Sequence, residues 1–226
     1  MKESMSKKLS KASDAIRRIS TPLYFDPLNW RFWRNLVTCF AICCIIGHWF
    51  EIPYCLLMDN FFGIVEDDYA VFHDPWYFPY WVYGFGAIIM TLFIEPFKEH
   101  FLKVRKTKFG AVLETFVFAV ILAAAMELLF GLIVNQPDEF GVYPYWDNSQ
   151  LPLNIFGQAW LVNDLAIGLV AVLYLWVIYP LVCNGYEKLS TKAGLIVFGF
   201  VVAAFAVACI VSYIPIWIGL LTGNPV

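Results

Sequence analysis

The chain has 226 residues, 61% of them hydrophobic and only 15% charged, with 15 Lys plus Arg against 18 Asp plus Glu and a formal net charge of −3. Its mean hydropathy is +0.68. Globular domains run at about 45–50% apolar and about 25% charged, so this composition excludes an ordinary soluble domain and makes lipid the main solvent, with nothing that points to nucleic acid.

Residues 1–20 carry Lys7, Lys8, Lys11, Arg17 and Arg18 but lack the apolar stretch of a cleavable signal peptide. Met5, Leu9, Ala12, Ile16 and Ile19 recur at spacings of four and three. The pattern fits either an amphipathic helix on an anionic membrane surface or a solubilising tail. Five apolar stretches follow, at about 36–58, 79–97, 110–134, 159–182 and 193–221. Each is long enough to cross a hydrocarbon core about 30 Å thick as a helix. Trp30, Phe32 and Trp33 before the first, and Trp76, Tyr77, Tyr80 and Trp81 before the second, are the aromatics expected at a lipid–water boundary. Pro215 in the last predicts a kink or early helix end.

The basic residues set an orientation. Eight of the fifteen precede the first span, five lie in the second connection between Lys98 and Lys108, and two, Lys188 and Lys192, lie in the fourth. Because Lys and Arg are retained in the cytoplasm, the reading is an all-α, polytopic bundle of five transmembrane helices in the cell membrane, N-terminus inside and C-terminus outside. Residues 1–34 form a cytoplasmic basic segment and 35–226 the membrane domain. The outer connections, about 59–78 and 135–158, hold Asp59, Glu66, Asp67, Asp68, Asp74, Asp138, Glu139 and Asp147 and no basic residue. They either draw cations toward the outer surface or simply complement the positive-inside bias.

Ionisable groups inside apolar spans cost at least about 2.5–3.5 kcal/mol each at mid-bilayer unless partnered or hydrated. Six stand out: His48 and Glu51 in the first span, Glu95 in the second, Glu114 and Glu127 in the third, and Asp164 in the fourth. At about 1.5 Å rise per residue, Glu51, Glu127 and Asp164 lie roughly 22, 25 and 24 Å above the inner boundary, so three acids from three helices share one level. His48 sits one turn below Glu51 on the same helix face. Glu95 and Glu114 fall near the inner boundary beside Lys98 and Lys108, as snorkelling or interface pairs. The outer acids form either a ligand site, in which two carboxylates need a cation or proton between them, or a hydrogen-bond network that ties helices together. A carboxylate-rich metal site is a further reading of the same cluster, with the metal unknown. There is no phosphate loop, GxSxG elbow or HExxH. The six cysteines lack any CxxC pair and read as small apolar packing residues, and no cofactor is implied.

The order of motifs resembles a known family. Gly47-His48-Trp49-Phe50-Glu51 gives a Gly-x-x-x-Glu, Tyr83-Gly84-Phe85-Gly86 a Tyr-Gly-x-Gly, and Glu127 with Gly131 a Glu-x-x-x-Gly. Trp146-Asp147-Asn148-Ser149 and Asn154-Ile155-Phe156-Gly157 continue as Trp-Asp-x-Ser and Asn-x-x-Gly. Together they are similar to the type IV ABC-transporter membrane subunit family, called CmpB-like, over about residues 36–182, with the tail helix outside the match. The chain departs from the pattern in having no basic residue in the first outer loop, and Asn135 where a second acid often follows Glu127. The resemblance implies a permease-like membrane component of a transporter. The site expected from the shared depth of the acids, for a small cationic or proton-coupled ligand, is Glu51, Glu127 and Asp164 with His48, Tyr83, Trp146, Asp147 and Asn154, the outer loop acting as a lid. An ATP-driven version needs a separate ATPase docked on the two inner connections, and five spans call for pairing with a second copy or another subunit. Two rival readings are a small membrane-embedded enzyme that uses the carboxylates and His48, and a non-catalytic assembly subunit.

Overall fold

A computed structural model describes residues 24–64 and 69–223. The amphipathic pattern of residues 1–20 and the acids Glu66, Asp67 and Asp68 lie outside these described residues. The elements in chain order are helix α1 (Trp30–Phe62), a 3₁₀ turn (Ala70–Phe72), α2 (Trp81–Phe93), α3 (Glu95–Val104), α4 (Lys108–Val134), a two-stranded antiparallel hairpin of β1 (Asn154–Ile155) and β2 (Ala159–Trp160), α5 (Leu161–Leu173), a π turn (Tyr174–Ile178), α6 (Tyr179–Glu187) and α7 (Thr191–Thr222). The hairpin pairs Asn154 with Trp160 and Ile155 with Ala159.

Four of the helical stretches are long and apolar enough to cross a membrane: Trp30–Phe62, Lys108–Val134, Leu161–Glu187 taken through the π turn, and Thr191–Thr222. The expected second span is broken. Helix α2 has 13 residues, a rise of about 20 Å, and ends at Ile94, where α3 begins with Pro96 in its first turn. Proline has no N–H to give the preceding turn, so the helix restarts instead of running through. Pro215 behaves otherwise: α7 continues past it to Thr222 and closes on Gly223 in the left-handed conformation.

Side chains start the helices where the sequence supplies an acceptor. The Asn29 carbonyl accepts from Arg31 N at 3.0 Å, the Thr107 hydroxyl from Gly110 N at 3.2 Å, and the Ser190 hydroxyl from Ala193 N at 3.3 Å, which satisfies amides that have no partner within the helix. Helix α4 buries Ala111, Thr115, Ala119 and Ala123, a stripe of small residues at intervals of four that lets α5 lie close. Small contact residues serve this purpose where lipid supplies no hydrophobic drive between helices. The core then gathers Cys39, Met90, Ile94, Ala119, Ala171, Tyr174, Leu175 and Tyr179 from α1, α2, α4, α5 and the segment after it. Helix α7 buries only Gly194, Ser212 and Gly219 and meets the rest through rings, with Phe205 on Phe40, and Tyr213 on Phe78 and Trp81. Its other faces are left for lipid.

Contacts at the two ends sort the charges. At one end Arg34 of α1 lies 3.9 Å over the Tyr186 ring of α6, Phe25 N bonds Glu99, and Lys98 reaches Leu175 O at 2.7 Å. This is the basic end. At the other, Phe62 packs on Trp160 and Tyr54 bonds Asn163, beneath the acidic connections.

Candidate functional site

Two close approaches build the acidic end. Gly47 lies where the Tyr83 ring passes, and a side chain at this position would run into that ring. Its absence lets Tyr83 of α2 lean over α1 and donate from its hydroxyl to Glu51 Oε2 at 2.8 Å. Tyr69, from the connection before α2, donates to Glu51 Oε1 at 3.2 Å. Burial, and then the adjacent Glu51 carboxylate, raise the Tyr69 phenol above its usual pKa, so it stays protonated and able to donate at neutral pH. Glu51 is thus held by two neutral hydroxyls, with no cation beside it among the described residues.

The second approach is at Gly131, where the Gln158 side chain fills the space that a Cβ would take. Gln158 donates to Asn135 O at 2.9 Å and accepts from Asn135 Nδ2 at 3.0 Å. Asn135 Nδ2 also bonds Trp146 O at 2.7 Å, and Trp146 Nε1 returns to Gln158 O at 2.9 Å. The long connection is therefore stitched onto the end of α4. Inside it, Asp147 accepts from Ser149 N at 2.8 Å, and Asn154 donates to Leu151 O at 2.7 Å and accepts from Gly157 N at 3.0 Å. Trp146, Asp147 and Asn154 spend these polar atoms on shaping the loop. The loop stores strain, since Leu153 and Phe156 both have positive φ, at 63° and 55°, a conformation that costs roughly 1–2 kcal/mol for a residue with a Cβ.

Below this loop lie the two remaining acids. Glu127 accepts from Trp160 N at 3.2 Å and Asn163 Nδ2 at 2.9 Å, and Asn163 Oδ1 accepts from Tyr54 of α1 at 2.9 Å. Asp164 is fully buried, and neither of its oxygens has a hydrogen-bond donor among the described residues. Its carboxyl is within hydrogen-bond reach of Glu127. Two carboxyl groups in contact need a proton or a cation between them. Glu127 and Asp164 lie beside each other, while Glu51 is held by Tyr69 and Tyr83. Tyr54, one turn beyond Glu51 on α1, lies in electrostatic reach of all three. Among the described residues, no three His, Cys, Asp or Glu side chains gather as a metal-ligand set.

His48 is buried against the connection before α2, with Nε2 3.2 Å from Val71 O and its ring edge-on to Tyr80. A carbonyl only accepts, so Nε2 carries the proton there. At the basic end, Glu95 pairs with Lys98 as expected, at 2.7 Å, but both side chains are buried rather than snorkelling. Glu114 pairs with Arg105 in place of Lys108. The sequence reading missed Tyr54, Tyr69, Asn163 and Gln158. Tyr54 could have been found from its i+3 spacing to Glu51, and Asn163 from its place beside Asp164.

A model of the family ABC_trans_CmpB, described as "Putative ABC-transporter type IV", matches residues 38–213. The chain belongs to that family. It is a multi-pass membrane component of a transporter, as its apolar helices also indicate. The match runs well into α7, so the tail helix is part of the family unit and not an appendage beyond it. No curated protein matches the chain, and no solved structure does.

Proposed function

We propose that this chain is the permease-like subunit of its transporter and that the Glu127–Asp164 pair, with Glu51, Tyr54, Tyr83 and Asn163 around it, forms a site for a small cationic or proton-coupled ligand. The observation that carries the reading is the carboxyl pair itself. Among the described residues, Asp164 is buried in an apolar bundle without a donor, and the pair makes no ion pair with Lys or Arg. A structural network would normally satisfy such groups; a site leaves the counter-charge to its ligand. His48 supports the helix that presents Glu51, and the loop from Trp146 to Asn154 acts as the lid.

In this reading α2 and α3 together make the fifth crossing. The N-terminus then lies inside and the C-terminus outside, in the cell membrane, with residues 1–34 as the cytoplasmic segment and 35–226 as the membrane domain. A separate ATPase docks at the basic end, and a second copy or another subunit completes the route. Two measurements test these points. An impermeant thiol reagent applied outside should label Asn148→Cys and spare Lys106→Cys; the reverse pattern inverts the topology. Binding is read from thermal stabilisation of the purified chain by monovalent cations, divalent cations and polyamines. At least one should stabilise the wild type and none should stabilise Glu127→Gln. An equal response from both proteins would remove Glu127 from the site.

A further inference from the structure

A cavity of about 190 Å³ lies at the basic end, between α3, the start of α4 and the π turn, lined in part by Tyr24, Glu95, Lys98, Glu99, Lys108 and Trp176. Its walls combine two acids, two cations and two aromatics with an amphipathic edge. Some of this charge is already spent. Lys98 is 2.7 Å from Glu95 Oε1 and donates to Leu175 O, a carbonyl of the π turn, at 2.7 Å, and Glu99 Oε1 accepts from Phe25 N at 3.0 Å. The rest is unpaired among the described residues: Glu95 Oε2 and Trp176 Nε1 are buried with no hydrogen-bond partner, and the exposed Lys108 has no ion pair. One wall residue therefore lacks a donor, and two have donors to spare.

We propose that this cavity binds a zwitterionic aminophosphate group of the phosphoethanolamine type, its phosphate on Lys108 and the Trp176 indole N–H and its ammonium on Glu95. A simple anion would be held against Glu95 and Glu99, and a simple cation against Lys98 and Lys108. A group carrying both charges satisfies each side, and leaving a buried polar atom unpaired costs about 1–3 kcal/mol. The cavity adjoins the helix break at Ile94 and the first turn of α4, at the bundle end where Trp and Tyr rings and basic residues meet headgroups. A membrane phospholipid is therefore the source that the setting favours. π turns frequently interrupt helices at functional sites, and here the turn supplies the carbonyl that holds Lys98 in the wall.

Native mass spectrometry of the full chain in neutral detergent tests this, titrated separately with phosphatidylethanolamine, phosphatidylglycerol and soluble phosphoethanolamine. Phosphatidylethanolamine should bind saturably. Lys108→Ala and Trp176→Phe should each bind it about tenfold more weakly, as expected for one lost charge-assisted or buried hydrogen bond. Trp176→Phe keeps the ring in the core, so it serves even where Lys108→Ala weakens the start of α4. Saturable binding of soluble phosphoethanolamine that is weakened by the same variants would keep the chemistry and make the source a soluble aminophosphate. Equal binding of phosphatidylglycerol, or binding unaffected by both variants, would overturn the proposal, as would no saturable binding of any of the three.

Discussion

The two ends of the bundle bury carboxylates in opposite ways. At the basic end Glu95 has its cation one helical turn away, and Lys98 also donates to a backbone carbonyl. At the acidic end Glu51 is met by two tyrosine hydroxyls, Glu127 by an asparagine and a backbone amide, and Asp164 by Glu127. Charge that is cancelled internally can serve the fold. Charge met only by neutral donors waits for a counter-charge from outside, so the acidic end is the better candidate for transport.

The comparison predicts different kinds of damage, the largest at the basic end. Glu95→Gln leaves Lys98 buried without its counter-ion, which should cost about 3–5 kcal/mol of stability, while Glu95→Gln combined with Lys98→Met should recover most of it. Denaturant unfolding of the single and double variants checks this; equal stability of the two would show that the pair does not hold the fold. Next, Gly131→Ala would drive a methyl into Gln158, with a cost of about 1–3 kcal/mol and faster proteolysis of the 135–158 loop, the proposed lid, as it is displaced. Unchanged cleavage would separate the lid from Gly131. Tyr54→Phe removes one hydrogen bond to Asn163, worth about 1 kcal/mol, and should weaken cation-induced stabilisation more than it lowers the melting temperature. The reverse ranking would make Tyr54 a structural tie. The smallest effect is expected from Arg105→Ala, whose pair with Glu114 is largely exposed; the unfolding midpoint should not move.

Much of this arrangement was legible in the sequence because lipid leaves few choices. Apolar length located the four long helices, and the cost of burying charge singled out Glu127 and Asp164. What the sequence hid was lateral geometry. Depth counting put Glu51 level with the other two, but rise along a helix says nothing about its rotation, and Tyr83 and Tyr69 claim that carboxylate first. Hydropathy over 79–97 did not show the break at Ile94, because Ile94 and Phe97 keep the window apolar while Pro96 removes the donor. Glu95 and Lys98 read as interfacial for a similar reason: the π turn that covers them leaves no mark in composition. The polar residues of the loop, Asp147 and Asn154, carry a recognisable pattern, yet their side chains are spent on backbone turns, which spacing alone does not distinguish from ligand contacts.

The central claim is that Glu127 at one end serves a transported ligand, whereas the charge of Glu95 at the other holds the fold through Lys98. The most direct test measures unfolding temperature with and without the stabilising cation for wild type, Glu127→Gln and Glu95→Gln side by side. The account predicts that Glu127→Gln keeps its melting temperature within a few degrees and loses the cation response, while Glu95→Gln melts lower and keeps that response. A Glu127→Gln protein that unfolds, or one that still answers the cation as the wild type does, would contradict it.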